Sequence, residues 1–249
     1  MLKLTRKQRE LVQREELILD VTRDLLLDRG YHGLTMDRIA EAMEYSKGTI
    51  YQHFPCKEEV LSELSTRILQ ERLAMFERAA QFDGRTRERM VAIGEAGEIF
   101  VRLHPDDFRI LQIIKAEVIT RKVSEERLLK MKDAEYRVLL LMNGIIREAI
   151  AQSELTLLPG KSVEEISFGL WAITDGGYGN IVRGMPLGEI GIREPFRSVM
   201  NVCEVLGDGY GWKPLTSEWD YEATRARVRA TLFADEMREL ERPNLEECG

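Results

Sequence analysis

The chain has 249 residues, 44% of them hydrophobic, enough to bury one large core and a small satellite domain. Its formal net charge of −7 argues at first sight against a nucleic-acid partner, because phosphate contacts supply most of the affinity for DNA. No apolar run approaches ~18 residues, so no membrane span is expected, and the charged opening MLKLTRKQRE predicts a cytoplasmic chain without a secretory leader.

The distribution of charge changes that picture. Up to Arg14, the basic residues Lys3, Arg6, Lys7, Arg9 and Arg14 face Glu10 alone, and residues 1–60 are nearly balanced, so the acidity lies in the rest of the chain. A two-part molecule follows, with a nearly balanced first part that opens on a basic segment and an acidic body that repels a phosphate backbone. The basic segment has no sustained periodicity and reads either as a solvated tail or as an arm that contacts phosphates or the minor groove.

From Glu15 to Arg29, Leu17, Ile18, Val21 and Leu25 fall at helical spacing, and Gly30 supplies a stop. Met36, Ile39, Ala40 and Met43 predict a short helix. A three-residue corner leads to a second, with Ile50, Tyr51 and Phe54, which Pro55 ends. Thr35 and Ser46 precede the two as N-caps. Two such helices bury little core of their own and serve to present the second one outward, the geometry of a helix-turn-helix. On SKGTIYQHF, Lys47, Thr49, Gln52 and His53 are donors, Tyr51 carries a rigid phenol, and Gly48 leaves room for a phosphate or base.

After Pro55, residues 57–80 predict a connecting helix that Asp83-Gly84 ends. Helices are then expected at about 86–103, 106–121, 124–152, 162–183, 194–207 and 218–240, with no strand alternation. The expected class is all-α, with a helix-turn-helix domain over 1–56 and a larger helical domain over 57–249.

Two body helices carry charge on an apolar stripe. Glu135 lies among Leu128, Met131, Val138 and Met142, and Asp175 lies among Phe168, Trp171 and Tyr178. An unpaired buried carboxylate costs several kcal/mol, so each needs a partner or a ligand. One reading is an acidic, aromatic pocket for a lipophilic cation, lined by Phe100, Phe108, Glu135, Met142, Phe168, Trp171, Asp175 and Tyr178. The other pairs the carboxylates with Arg or Lys and leaves the rings as ordinary core. The glycines Gly169, Gly176, Gly177 and Gly179 cost about 1 kcal/mol each relative to alanine in a helix. They suggest close approach of another backbone, within the chain or from a second subunit.

Cysteines Cys56, Cys203 and Cys248 are far apart and read as reduced thiols. His32, His53 and His104 share no helical turn, and no serine sits in a nucleophile elbow, so neither a metal site, a cofactor nor an enzyme is expected. His104-Pro105-Asp106-Asp107 is a helix break followed by acids that favour the next macrodipole.

The combination of Gly30, Tyr31, Thr35, Ile39 and Ala40 with Ser46, Lys47, Gly48, Thr49, Ile50, Tyr51, His53, Phe54, Lys57 and Glu58 resembles the DNA-binding domain of the tetracycline-repressor family, over roughly residues 16–64. The resemblance implies that Thr35, Ser46, Tyr51, His53 and Lys57 hold phosphates, while Lys47, Gly48, Thr49, Gln52 and Tyr45 face the groove. It also implies a homodimeric repressor on a palindromic operator, released by a small molecule, with helix 162–183 and one of the two later helices at the dimer seam; Gly169, Ile173, Gly177 and Ile181 line either that seam or a packing contact within the chain. A DNA-binding structural or interaction protein of the same fold with no effector is the alternative. An all-helical enzyme that keeps the helix-turn-helix as scaffold is a further one.

Two departures stand out. Met43-Glu44-Tyr45 occupies a turn where the family usually has Ala-Gly-Val, so Glu44 is expected to carry a Cβ at positive φ, at a cost of about 1 kcal/mol. Cys56 replaces a common serine at the following cap, which weakens it.

Overall fold

The computed structural model describes residues 5–117 and 119–242. Among them every regular element is helical. These are α1 (Arg6–Gly33), α2 (Met36–Ala42), α3 (Lys47–Tyr51), α4 (Lys57–Ala79), α5 (Thr86–Leu103), α6 (Pro105–Ala116), a 3-10 turn (Ile119–Arg121), α7 (Glu125–Ala151), α8 (Val163–Val182), a second 3-10 turn (Leu187–Ile190), α9 (Pro195–Gly209), α10 (Tyr221–Leu232) and α11 (Ala234–Leu240). The chain clusters into two compact units, one up to residue 70 with 109–134, the other 71–108 with residue 135 onward.

In the first unit, α1 begins earlier than its apolar pattern suggests. The Gln8 N–H donates to the Thr5 hydroxyl and the Thr5 N–H donates to the Gln8 side chain, a capping box that starts the helix at Arg6. The basic segment from Arg6 to Arg14 is therefore helical, not an irregular arm; Lys3 lies outside the described residues. The buried face of α1 is Ile18, Leu19, Thr22 and Leu26, whereas Leu17 is 51% exposed. The run LILDVTRDLLLD has apolar side chains on two adjoining faces, so periodicity alone leaves the phase open. Gly30, at φ 66°, breaks the helix.

The caps of α2 and α3 form as the sequence predicts: the Arg38 N–H donates to the Thr35 hydroxyl at 3.2 Å, and the Thr49 N–H to the Ser46 hydroxyl at 3.1 Å. Between them Glu44 sits at φ 55°, the strained left-handed conformation expected of it. Met36, Ile39, Ala40, Ile50 and Phe54 are buried and hold the pair in place.

In the second unit α5 packs against α8, α9, α10 and α11 and is buried on nearly every side. Phe76, Ile93, Ala96, Ile99, Val138, Ile146, Ile166, Trp212, Val228 and Phe233 belong to one core around it. Its buried charges are matched across the core. Arg87 donates to the carbonyls of Trp212, Pro214 and Glu204 and to Asp208 Oδ1, while Glu95 accepts from Arg229 Nε at 2.6 Å and lies 3.2 Å from Arg225 Nε. The single helix expected over 218–240 is two, α10 and α11, interrupted at the fully buried Phe233. The expected helix 106–121 likewise ends at Ala116, and the 3-10 turn follows.

Candidate functional site

The five residues of α3 have one buried side chain, Ile50. Everything else about the helix is display: Tyr45, Ser46, Lys47, Gly48, Tyr51 and Gln52 are exposed and Thr49 is half-buried. Nearby groups orient the display. Lys47 Nζ pairs with Asp37 at 2.6 Å, the Ser46 and Thr49 hydroxyls lie 2.8 Å apart, and the Arg14 guanidinium stands 5.8 Å over the Tyr45 ring. The pair is exposed, so solvent screens it and it restrains Lys47 only weakly. Thr35 is exposed at the start of α2.

Two residues that the resemblance assigns to phosphates are turned inward. The His53 side chain is 2% exposed, with Nδ1 3.5 Å from Glu15 Oε1. Lys57 Nζ donates to the carbonyls of Tyr31 at 2.6 Å and Leu34 at 3.0 Å and lies 3.9 Å from the Tyr31 ring centroid. Desolvation lowers the pKa of this lysine. The Tyr31 hydroxyl in turn donates to Glu58 Oε1 at 2.9 Å, and Lys122 pairs with the same carboxylate at 3.0 Å. Burial and the Glu58 carboxylate push the Tyr31 phenol up to about 12. Lys57 and Glu58 thus clamp the end of α1 to the start of α4, and the pattern position they share with the family has a structural reason in this chain.

In the second unit a cavity of about 70 Å3 lies between α4, α5, α7, α8 and α9. Met142, Trp171 and Tyr178 line it, along with Arg72, Phe76, Met90, Met200 and Trp212, which periodicity did not single out. The other sequence candidates lie elsewhere. Phe168 is 58% exposed, Phe100 and Phe108 are core residues, and Glu135 is half-buried outside the lining. Asp175 is buried 3.8 Å from Arg72, the pairing that the second reading of the stripe anticipated. Arg72 was legible in principle: it falls between Ile68 and Phe76 on the apolar face of α4, the same signal that marked Asp175.

Cys56 and Cys203 are free thiols, and Cys248 lies outside the described residues. Burial, then the Glu204 carboxylate, pushes the Cys203 thiol up to about 11, so it stays protonated and poorly nucleophilic near neutral pH. Among the described residues no group of His, Cys, Asp and Glu could hold a metal ion, and no helix is long and apolar enough to cross a membrane.

A capped pair of short helices with an outward second member is a helix-turn-helix, and it accompanies a larger helical unit. Residues 18–64 match the sequence model of the bacterial regulatory proteins of the tetR family. It is 31% identical over 115 residues to the HTH-type transcriptional regulator YhgD of Bacillus subtilis (strain 168), covering 46% of this chain and 53% of that protein. It is 28% identical over 99 residues to the HTH-type transcriptional activator FasR of Mycolicibacterium smegmatis, covering 40% of this chain and 45% of that one. The chain thus spans about half the length of the curated relatives it matches. A solved tetR-family regulatory protein from Rhodococcus RHA1 shares the fold, with a TM-score of 0.61 at 18% identity over 80% of this chain and 97% of that one.

Proposed function

We propose that this protein is a homodimeric, ligand-responsive transcriptional regulator that reads an inverted-repeat operator with α3 and is switched by a small molecule in the cavity of its second unit. The observation that carries the DNA half is the exposure of Lys47, Gly48 and Tyr51 on α3 and of Tyr45 and Gln52 beside it, with Ile50 the helix's one buried side chain. Ser46, Thr35 and Tyr51 supply hydroxyls for phosphates, which set register, and Lys47 and Gln52 supply donors for base edges, which set sequence. The helical basic segment adds Arg6, Lys7 and Arg9, all exposed, as further partners for the phosphate backbone.

One five-residue reader contacts few bases, so useful specificity calls for two readers on a twofold axis. Apolar residues left outward on α8 and α9 support the dimer: Phe168 is 58% exposed, Val202 48% and Val205 70%. Ala172 and Gly176 continue the row from Phe168 along α8, and neither Gly169 nor Gly176 has an atom of its own chain near a Cβ position. Gly177 has a different role, since a Cβ there would lie 2.5 Å from Val199 Cγ2, so it serves the packing of α8 on α9 within the chain.

The effector half rests on the cavity and on α4, whose residues belong to both units. A ligand changes operator affinity only by its differential affinity for the two states, about 1.4 kcal/mol for each tenfold. Whether operator occupancy represses or activates depends on where the operator lies relative to a promoter, not on the fold.

The test is selection of duplexes from a random pool by the full chain, with sedimentation of the free protein. Enrichment of an inverted repeat and a dimer at micromolar concentration are expected. A pool that stays random, or a monomer throughout, contradicts the proposal.

A further inference from the structure

The chemistry of the cavity wall points to the class of molecule it takes; this inference rests on the effector reading above. Most of the wall is apolar or aromatic, with Phe76, Met90, Met142 and Trp171 among its members, and unbranched methionines let it follow an irregular body.

Its polar groups are few and largely committed. Thr174 Oγ1 donates to the carbonyl of Leu170, the Tyr178 hydroxyl donates to Met200 Sδ, and both terminal nitrogens of Arg87 are engaged by carbonyls and Asp208. Arg72 differs. Its side chain is 5% exposed and its Nε has no hydrogen-bond partner, although Asp175 lies 3.8 Å from Nη1. A buried N–H without an acceptor is costly, so a ligand oxygen placed there recovers what the fold leaves unmade.

The charges decide what kind of oxygen. Arg72 is balanced by Asp175, Arg87 by Asp208, and Glu204 by Arg225. A carboxylate ligand would bring an uncompensated charge into an apolar space, and a lipophilic cation would meet carboxylates already paired to arginines. We propose that the cavity takes a neutral lipophilic molecule with one carbonyl-type oxygen, as in a ketone or an ester, which accepts from Arg72 Nε.

The experiment titrates the full chain, followed by intrinsic tryptophan emission, with 2-undecanone, 1-undecene, decanoate and decyltrimethylammonium. The same series is run on Arg72→Met/Asp175→Asn, which removes the donor without leaving a lone buried carboxylate, and on Arg72→Lys, which keeps the charge but lacks the Nε–H. The ketone should bind the parent protein about tenfold or more tighter than the alkene, with both ions weaker, and that preference should vanish in the variants. Should the double variant not fold, Arg72→Lys carries the comparison. A ketone that binds with the same preference in every variant overturns the inference and leaves the effector reading intact; so does tightest binding by decanoate or the quaternary ammonium. Absence of binding by every probe to the parent protein overturns both.

Discussion

The two units of this molecule treat polar side chains in opposite ways. On α3 a single buried isoleucine anchors residues whose donors point to solvent, and caps and clamps, together with the buried Met36, Ile39, Ala40 and Phe54, hold the segment in place. On α5 the charged side chains Arg87, Glu88 and Glu95 are almost wholly buried and each is matched by a partner on another helix. Display suits a partner that is itself a large, charged surface, whereas enclosure suits a small molecule that must leave water behind. The practical lesson is that charged residues mean different things in the two units: Arg87 on the body is structural, and Lys57 beside the reader need not touch DNA.

The largest test of this contrast is Arg87→Met. It removes the donor to the carbonyls of Trp212, Pro214 and Glu204 and leaves the Asp208 carboxylate with Thr216 but no cation, and should cost about 3–5 kcal/mol by denaturant melting. Sequence preference on DNA should survive at temperatures where the variant is folded. A loss of preference with the fold intact would show that the body's charges are not merely structural.

Lys57→Met sharpens the boundary at the reader end. As a clamp, Lys57 should contribute about 1.5–3 kcal/mol of stability, and its loss should leave the salt dependence of DNA binding unchanged in the folded fraction. As a phosphate contact it would instead lower the salt slope by about 1 and leave the melt untouched. The two measurements separate these roles.

The smallest expected effect is Glu44→Gly. Relief of the left-handed strain, partly offset by the extra freedom of glycine in the unfolded chain, should stabilise the protein by about 0.5–1 kcal/mol. A destabilisation would mean that the Glu44 side chain makes a contact worth more than the strain.

What the sequence discloses follows from the range of each interaction. The N-caps at Thr35 and Ser46, the stop at Gly30, the strain at Glu44 and the helix breaks are local, and they were legible. The capping box Thr5-Arg6-Lys7-Gln8 is equally local, but no apolar periodicity accompanies it to mark a helix there. Phase and pairing are another matter. That Leu17 faces out while Leu19 faces in depends on neighbours far along the chain. So does the choice of Arg72 as partner for Asp175, more than a hundred residues away, which changes an acidic pocket into a neutral one with a spare donor. His53 and Lys57 illustrate the limit of a motif: it marks positions that matter without saying whether the side chain turns outward or in.

The central claim is that the outward face of α3 reads bases. It is tested most directly by the ratio of affinities for the selected duplex and a scrambled one, measured by fluorescence anisotropy at fixed salt for the parent chain and for Gln52→Ala. The account predicts that the ratio falls about tenfold or more while the salt slope stays constant, since a base contact is lost and no phosphate contact is. An unchanged ratio in the variant would contradict it.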